Sequence, residues 1–165
     1  MIIFGTRLYG KVDAIPGVGY VATKFGHLNF VPLLPTEGWL VVAEEGDGWR
    51  GQSIPISMKS VLVAWARTLF IIAGLPSLLI GLAIFFGEGA GKAVTPGLIA
   101  AVCIGGLIAS YRWTWVTHAS PERALEIARQ AGIGLAGLEQ LRDLYAEPKP
   151  APVVAPAERW TPPES

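Results

Sequence analysis

Two long runs without a single charge set the limits on what this chain can become. They are TLFIIAGLPSLLIGLAIFF, from Thr68 to Phe86, and AVTPGLIAAVCIGGLIASY, from Ala93 to Tyr111, each 19 residues long. As helices they rise about 28 Å, close to the hydrocarbon thickness of a bilayer. The first holds twelve Leu, Ile, Phe or Val residues, which predicts insertion worth on the order of −4 to −7 kcal/mol before the polar groups are counted. The second holds seven, so its insertion is expected to depend on pairing with the first. Composition agrees with a lipid environment, with 52% hydrophobic residues, 16% charged residues and a mean hydropathy of +0.45.

The expected unit is a transmembrane helical hairpin over 58–111, with helices at about 61–86 and 93–111 joined by the connector GEGAGK. Arg50, Lys59 and Arg67 precede it and Arg112, Arg123 and Arg129 follow, whereas the connector holds only Lys92. Basic residues near helix ends favour the cytoplasmic side, so both termini are expected there, in a bacterial inner membrane. No signal peptide is read in MIIFGTRLYGKV, which lacks a sustained apolar core. Trp65, Tyr111, Trp113 and Trp115 fall where amphipathic rings prefer the headgroup layer. An aromatic-lined pigment or quinone pocket is the alternative use for them. Small residues recur every four positions, as Ala73, Ser77 and Gly81 in the first helix and Gly97, Ala101, Gly105 and Ala109 in the second. That spacing lets helix backbones approach closely, either within the hairpin or against another protein.

Residues 1–57 read as a β-rich unit, a small meander or open barrel. Ile2, Phe4, Leu8 and Val12 alternate with Arg7, Lys11 and Asp13, the period of a half-buried strand. Ile15-Pro16-Gly17 signals a turn, GYVATKF a second strand, and GWLVVAEE with Gly46-Asp47-Gly48 and WRGQSIP a hairpin. So small a core is marginal by itself and is expected to lean on the membrane or a partner subunit. Between these signals lies KFGHLNFVPLLP, whose prolines restrict it to an edge or irregular strand. An extended reading puts Leu28, Phe30, Pro32 and Leu34 on one face, either in the core or on a lipid- or partner-facing surface.

In the segment 112–146, Ser120 as N-cap, Pro121 at the first helical position and Glu122 in the first turn predict a helix to about Ala131. Leu135, Leu138, Leu141 and Tyr145 predict a second amphipathic helix. The tail, 147–165, has six prolines in 19 residues and reads as extended and disordered, with Trp160 as a candidate docking residue. The fold class expected is therefore membrane α+β.

The segments FGTRLYGKVD, KFGHLNFVPLLP and SPERALEIARQAGI together resemble an uncharacterised family of small bacterial membrane proteins with an amino-terminal β segment and a transmembrane hairpin. The resemblance covers most of residues 1–133 and implies architecture only. FVPLLP is also similar to a stretch in certain membrane-associated zinc-ribbon proteins, but the chain has no CxxC pair, so no metal function is carried over.

Chemistry-bearing patterns are missing from the sequence. His27 and His118 are the only histidines, Cys103 the only cysteine, and no HExxH, P-loop or GxGxxG spacing occurs. Glu44, Glu45 and Asp47 read as a solvated turn before a cation site. Thirteen basic residues balance thirteen acidic ones, which leaves no electrostatic case for nucleic acid. The expectation is a noncatalytic accessory or scaffolding subunit of a larger inner-membrane complex, of the respiratory or photosynthetic kind among others. It needs no cofactor and contacts the bilayer and other membrane subunits. A small homo-oligomeric transporter or channel component and a membrane-tethered binding module are the alternatives.

Overall fold

A computed structural model of the chain describes residues 4–46 and 48–146. Ile2, Asp47 and the whole segment 147–165 with Trp160 lie outside the described residues. Four antiparallel strands come first: β1 (Phe4–Ile15), β2 (Gly19–Leu28), β3 (Val31–Glu45) and β4 (Gly48–Ile54), paired in the order β1-β2-β3-β4. The sheet is an open meander, since β1 and β4 are its two edges. Its first turn closes through Val18 N–H donating to the Ile15 carbonyl at 3.1 Å. The second is a two-residue turn in which Asn29 and Phe30 have φ of 48° and 66°, the backbone twist that matches paired strands.

That turn corrects the extended reading of KFGHLNFVPLLP. Leu28 ends one strand, Phe30 sits in the turn and Leu34 lies on the next strand, so the stretch is a hairpin tip. Its prolines still obey the ladder rule. β4 pairs only with Gly38–Glu45, so Pro32 and Pro35 occupy the half of β3 that has a neighbour on one side alone.

A second correction concerns β1. Strict alternation would turn Asp13 outward, yet Asp13 is 1% exposed and Val12 beside it is equally buried. Register shifts between Tyr9 and Val12 and between Val12 and Ile15 break the period, while Phe4, expected on the core face, is exposed. Gly10 opens the first irregularity with φ of +68°. A Cβ there would lie 2.0 Å from the Ser60 carbonyl oxygen, so only glycine lets strand and helix touch at this point.

The helices are α1 (Met58–Glu88), α2 (Ala90–Arg112), α3 (Thr114–Thr117), α4 (Pro121–Gln130) and α5 (Leu135–Tyr145). Helix α1 has 31 residues, longer at its start than the sequence suggests. Its first turns rest on the sheet, where Val61 and Ala64 pack on Phe25 and Ser60 Oγ donates to the Gly10 carbonyl at 2.7 Å. From Thr68 onward about 31 Å of helix remains, two-thirds of its length. The six-residue connector shrinks to Gly89 alone, with φ of 94°, and the helical ladder resumes at Ala90.

The sheet finds support within the chain, against the carboxyl-terminal helices. After α2 the backbone returns to β1, where Ala119 N–H donates to the Ala14 carbonyl at 3.2 Å. Val12, Ile15, Val21, Leu40 and Ile54 then form one core with Val116, Ala124, Ile127, Ala128 and Leu141 from the carboxyl-terminal helices. Each large side chain buried this way contributes about 1.5–3 kcal/mol. In α4 the Ser120 hydroxyl accepts from Arg123 N–H at 3.3 Å, completing the expected N-cap. Leu135 stands outside the core at 81% exposed. At about 100° per residue, Leu138, Leu141 and Tyr145 fall within roughly 60° of one another and Leu135 lies beyond them.

Candidate functional site

The sheet and α3–α5 pack together at one end of the α1–α2 pair, the end where α1 begins and α2 finishes. Three features converge there: a charged clasp, an aromatic collar and an apolar hairpin tip.

The clasp is built on Asp13, held at φ of 48° in a left-handed conformation that aspartate tolerates better than most residues. Its Oδ1 accepts from Lys59 Nζ of α1, and its Oδ2 lies 3.7 Å from Arg123 Nε of α4. One buried carboxylate thus joins three separate segments. Tyr145 borders it, and burial together with the Asp13 charge raises the phenol above its ordinary range. On the outer sheet face, Glu44 accepts from Lys11 and from Tyr20. The bond from Lys11 holds the Glu44 carboxyl below its usual range, while burial and then Glu44 push the Tyr20 phenol upward. Glu45 pairs with Arg50. Glu44 and Glu45 are therefore engaged by the protein's own cations, and among the described residues no cluster suited to a metal ion occurs.

In the collar, Trp65, Tyr111, Trp113 and Trp115 are all exposed at this end. Lys59 Nζ stands 5.2 Å from the centre of the Trp115 ring. Arg67 is the residue here that sequence reasoning passed over except as a topology marker. It is only 8% exposed, its Nε and NH2 donate to Ser110 Oγ and the Ser110 carbonyl at 3.0 and 2.7 Å, and its Cζ lies 3.8 Å from the Tyr111 ring centre. A basic residue directly before an uncharged run is the signal that marked the position.

The hairpin tip presents Leu28, Phe30, Leu33 and Leu34 outward, with Leu34 at 71% and Phe30 at 55% exposed. Phe30 is held in its uncommon backbone conformation by Tyr9 Oη donating to its carbonyl at 2.9 Å, and its ring stacks on His27 at 5.7 Å. A bulky residue at positive φ is a backbone outlier. The tip stands beside Thr68, Ile71 and Ile72 of α1, across a cavity of about 600 Å³.

Between the two helices, packing uses the α1 face that holds Ala73, Ser77 and Gly81, but on α2 a face that the small-residue spacing did not identify. Gly74 and Gly81 of α1 are buried, as are Ala100 and Cys103 of α2, and a Cβ on Gly74 would meet Cys103 Cβ at 2.8 Å. Ala73 and Ser77 are partly covered beside Gly74. Gly97, Ala101, Gly105 and Ala109 are all exposed. At about 100° per residue, Ala101, Gly105 and Ala109 lie roughly opposite the Pro96–Ala100–Cys103 face and Gly97 about 90° to its side, so most of the α2 stripe is left on the outside of the hairpin. No family model, curated protein or solved structure matches this chain.

Proposed function

We propose that the chain is an integral protein of a bacterial inner membrane, spanning it twice with both termini cytoplasmic. Its role is that of a noncatalytic accessory or scaffolding subunit, contacting other membrane proteins through α2. The exposed small-residue stripe Gly97, Ala101, Gly105 and Ala109 carries this reading. Such a face permits close approach by a partner's helix, and in lipid that approach is driven by packing and weak polar contacts. The spanning reading rests on apolar surface: α1 and α2 both have the length and hydropathy of membrane spans, and Leu69, Leu79, Leu98 and Val102 are among the large side chains they expose. A helix apolar all round belongs in a protein core or in lipid, and among the described residues no core covers these two beyond the first turns of α1. The core shared by the sheet and α4 supports placing the segments before and after the hairpin on one side, as an even number of crossings requires.

Paired substitutions separate the two glycine environments. Gly105→Ile, which has open space around it, should leave insertion and circular dichroism unchanged and reduce co-migration with partner subunits in native gels from the source membrane. Gly74→Ile should lower the stability of the hairpin itself, since its side chain would collide with Cys103. Gly105→Ile with wild-type co-migration would remove the stripe as the contact. Migration of the wild-type protein only as a homo-oligomer, with solute flux in liposomes, would replace the accessory-subunit reading by the transporter alternative.

A further inference from the structure

Arg67 is a nearly buried cation whose partners are neutral. Ser110 and the Tyr111 ring surround it, and among the described residues no carboxylate lies within ion-pair distance of it. Buried charges are ordinarily matched by an opposite charge. Here the matching charge is missing at a particular place. Arg67 immediately precedes the uncharged run of α1 and borders the cavity of about 600 Å³ between that helix and the hairpin tip, lined by Tyr9, Phe30, Thr68, Ile71 and Tyr111 among others. The cavity lining therefore includes one guanidinium-bearing side chain and the hydroxyl-bearing Tyr9, Thr68 and Tyr111. Beyond them, Ile71 and Ile72 continue as exposed apolar helix surface.

We propose that this cavity binds an anionic phospholipid, its phosphate paired with Arg67 and its acyl chains lying along Ile71 and Ile72. The inference rests on the two helices spanning a bilayer, which places Arg67 at headgroup depth. A guanidinium suits a phosphodiester because its planar donors match the phosphate oxygens. The exposed Phe30 ring flanks the lipid from the sheet side. This gives the hairpin tip a use that core packing does not, since the ring is held outward on a backbone that costs energy to form.

The test uses the full chain in nanodiscs of phosphatidylcholine doped with phosphatidylglycerol, with retained lipid identified by native mass spectrometry. Wild type should retain phosphatidylglycerol above its bulk fraction, and soluble glycerol phosphate should not displace it. Arg67→Gln should reduce that preference about tenfold, the scale of one charge-assisted hydrogen bond. Ser110→Ala removes one of the two internal acceptors of Arg67, the hydroxyl, and keeps the carbonyl bond and the charge, so it should retain the preference. If Arg67 served only to tie α1 to α2, both variants would lose stability, Arg67→Gln the more, and neither would change lipid retention. Phe30→Gly keeps the positive φ of the turn and removes the ring, so it should fold and retain less lipid. Retention at the bulk ratio by wild type, or unchanged retention by Arg67→Gln, would overturn the proposal. Displacement by glycerol phosphate would assign the site to a free phosphate. Failure of the wild-type chain to enter the bilayer would instead refute the spanning reading, a distinct outcome visible before any lipid is counted.

Discussion

Gly10→Ala should destabilise the protein by about 3 kcal/mol or more, because two independent costs fall on one methyl group. The left-handed conformation at Gly10, with φ of +68°, costs an L-residue about 1–2 kcal/mol. The added Cβ would also lie 2.0 Å from a backbone oxygen of Ser60, and overpacking of that kind costs typically about 1–3 kcal/mol. Gly17→Ala provides the comparison. Its φ of +73° is nearly the same, but open space surrounds it, so only the conformational cost of about 1–2 kcal/mol applies. Denaturant titration of the detergent-solubilised protein, followed by tryptophan fluorescence, measures both. Equal losses at the two positions would mean that β1 and α1 do not approach as closely as described.

The second large effect is expected at Asp13. Asp13→Ala leaves Lys59 without a counter-charge and Arg123 with Glu126 alone, and breaking a buried ion pair from one side costs about 3–5 kcal/mol. Both cations keep some contact with water, their side chains being 23% and 35% exposed, which places the expected loss near about 3 kcal/mol. Asp13→Asn preserves the left-handed tolerance and one acceptor and should cost less. The consequence should be local as well as global. Amide exchange in α4 should accelerate in Asp13→Ala more than exchange in α2, since Arg123 is the α4 end of the clasp. Wild-type stability in Asp13→Ala would show that the apolar core alone holds α4 to the sheet.

What was legible in the sequence was local. The two uncharged runs appear as α1 and α2, the Pro16-Gly17 pair as a turn, and Ser120-Pro121 as a helix start, because each depends on residues within one or two turns of chain. The features that were missed depend on distant contacts. Gly10 within a strand was a sign of a bulge or a close approach, but only Ser60 explains it. Phe30 is a poor turn residue, so Asn29 alone announced the hairpin within an otherwise apolar stretch. The α2 stripe shows most clearly why spacing was not enough. Four small residues at intervals of four define a smooth face, yet the partner of α1 is decided by the fit of Gly74 to Cys103, which leaves that face outward. Alternation alone makes Asp13 a surface charge, and the two register shifts that turn it inward leave no mark in the local pattern.

The central claim, that the two helices cross a membrane and leave the sheet and the carboxyl-terminal helices together on its cytoplasmic side, is tested most directly by cysteine labelling in intact cells. In a Cys103→Ala background, single cysteines at Ala90, at Ser53 and at Glu139, all exposed positions, are challenged with a membrane-impermeant maleimide before and after lysis. The account predicts labelling at Ala90 in intact cells and at Ser53 and Glu139 only after lysis. Labelling of Ser53 and Glu139 with Ala90 protected would invert the orientation, and identical behaviour of all three positions would contradict the crossing itself.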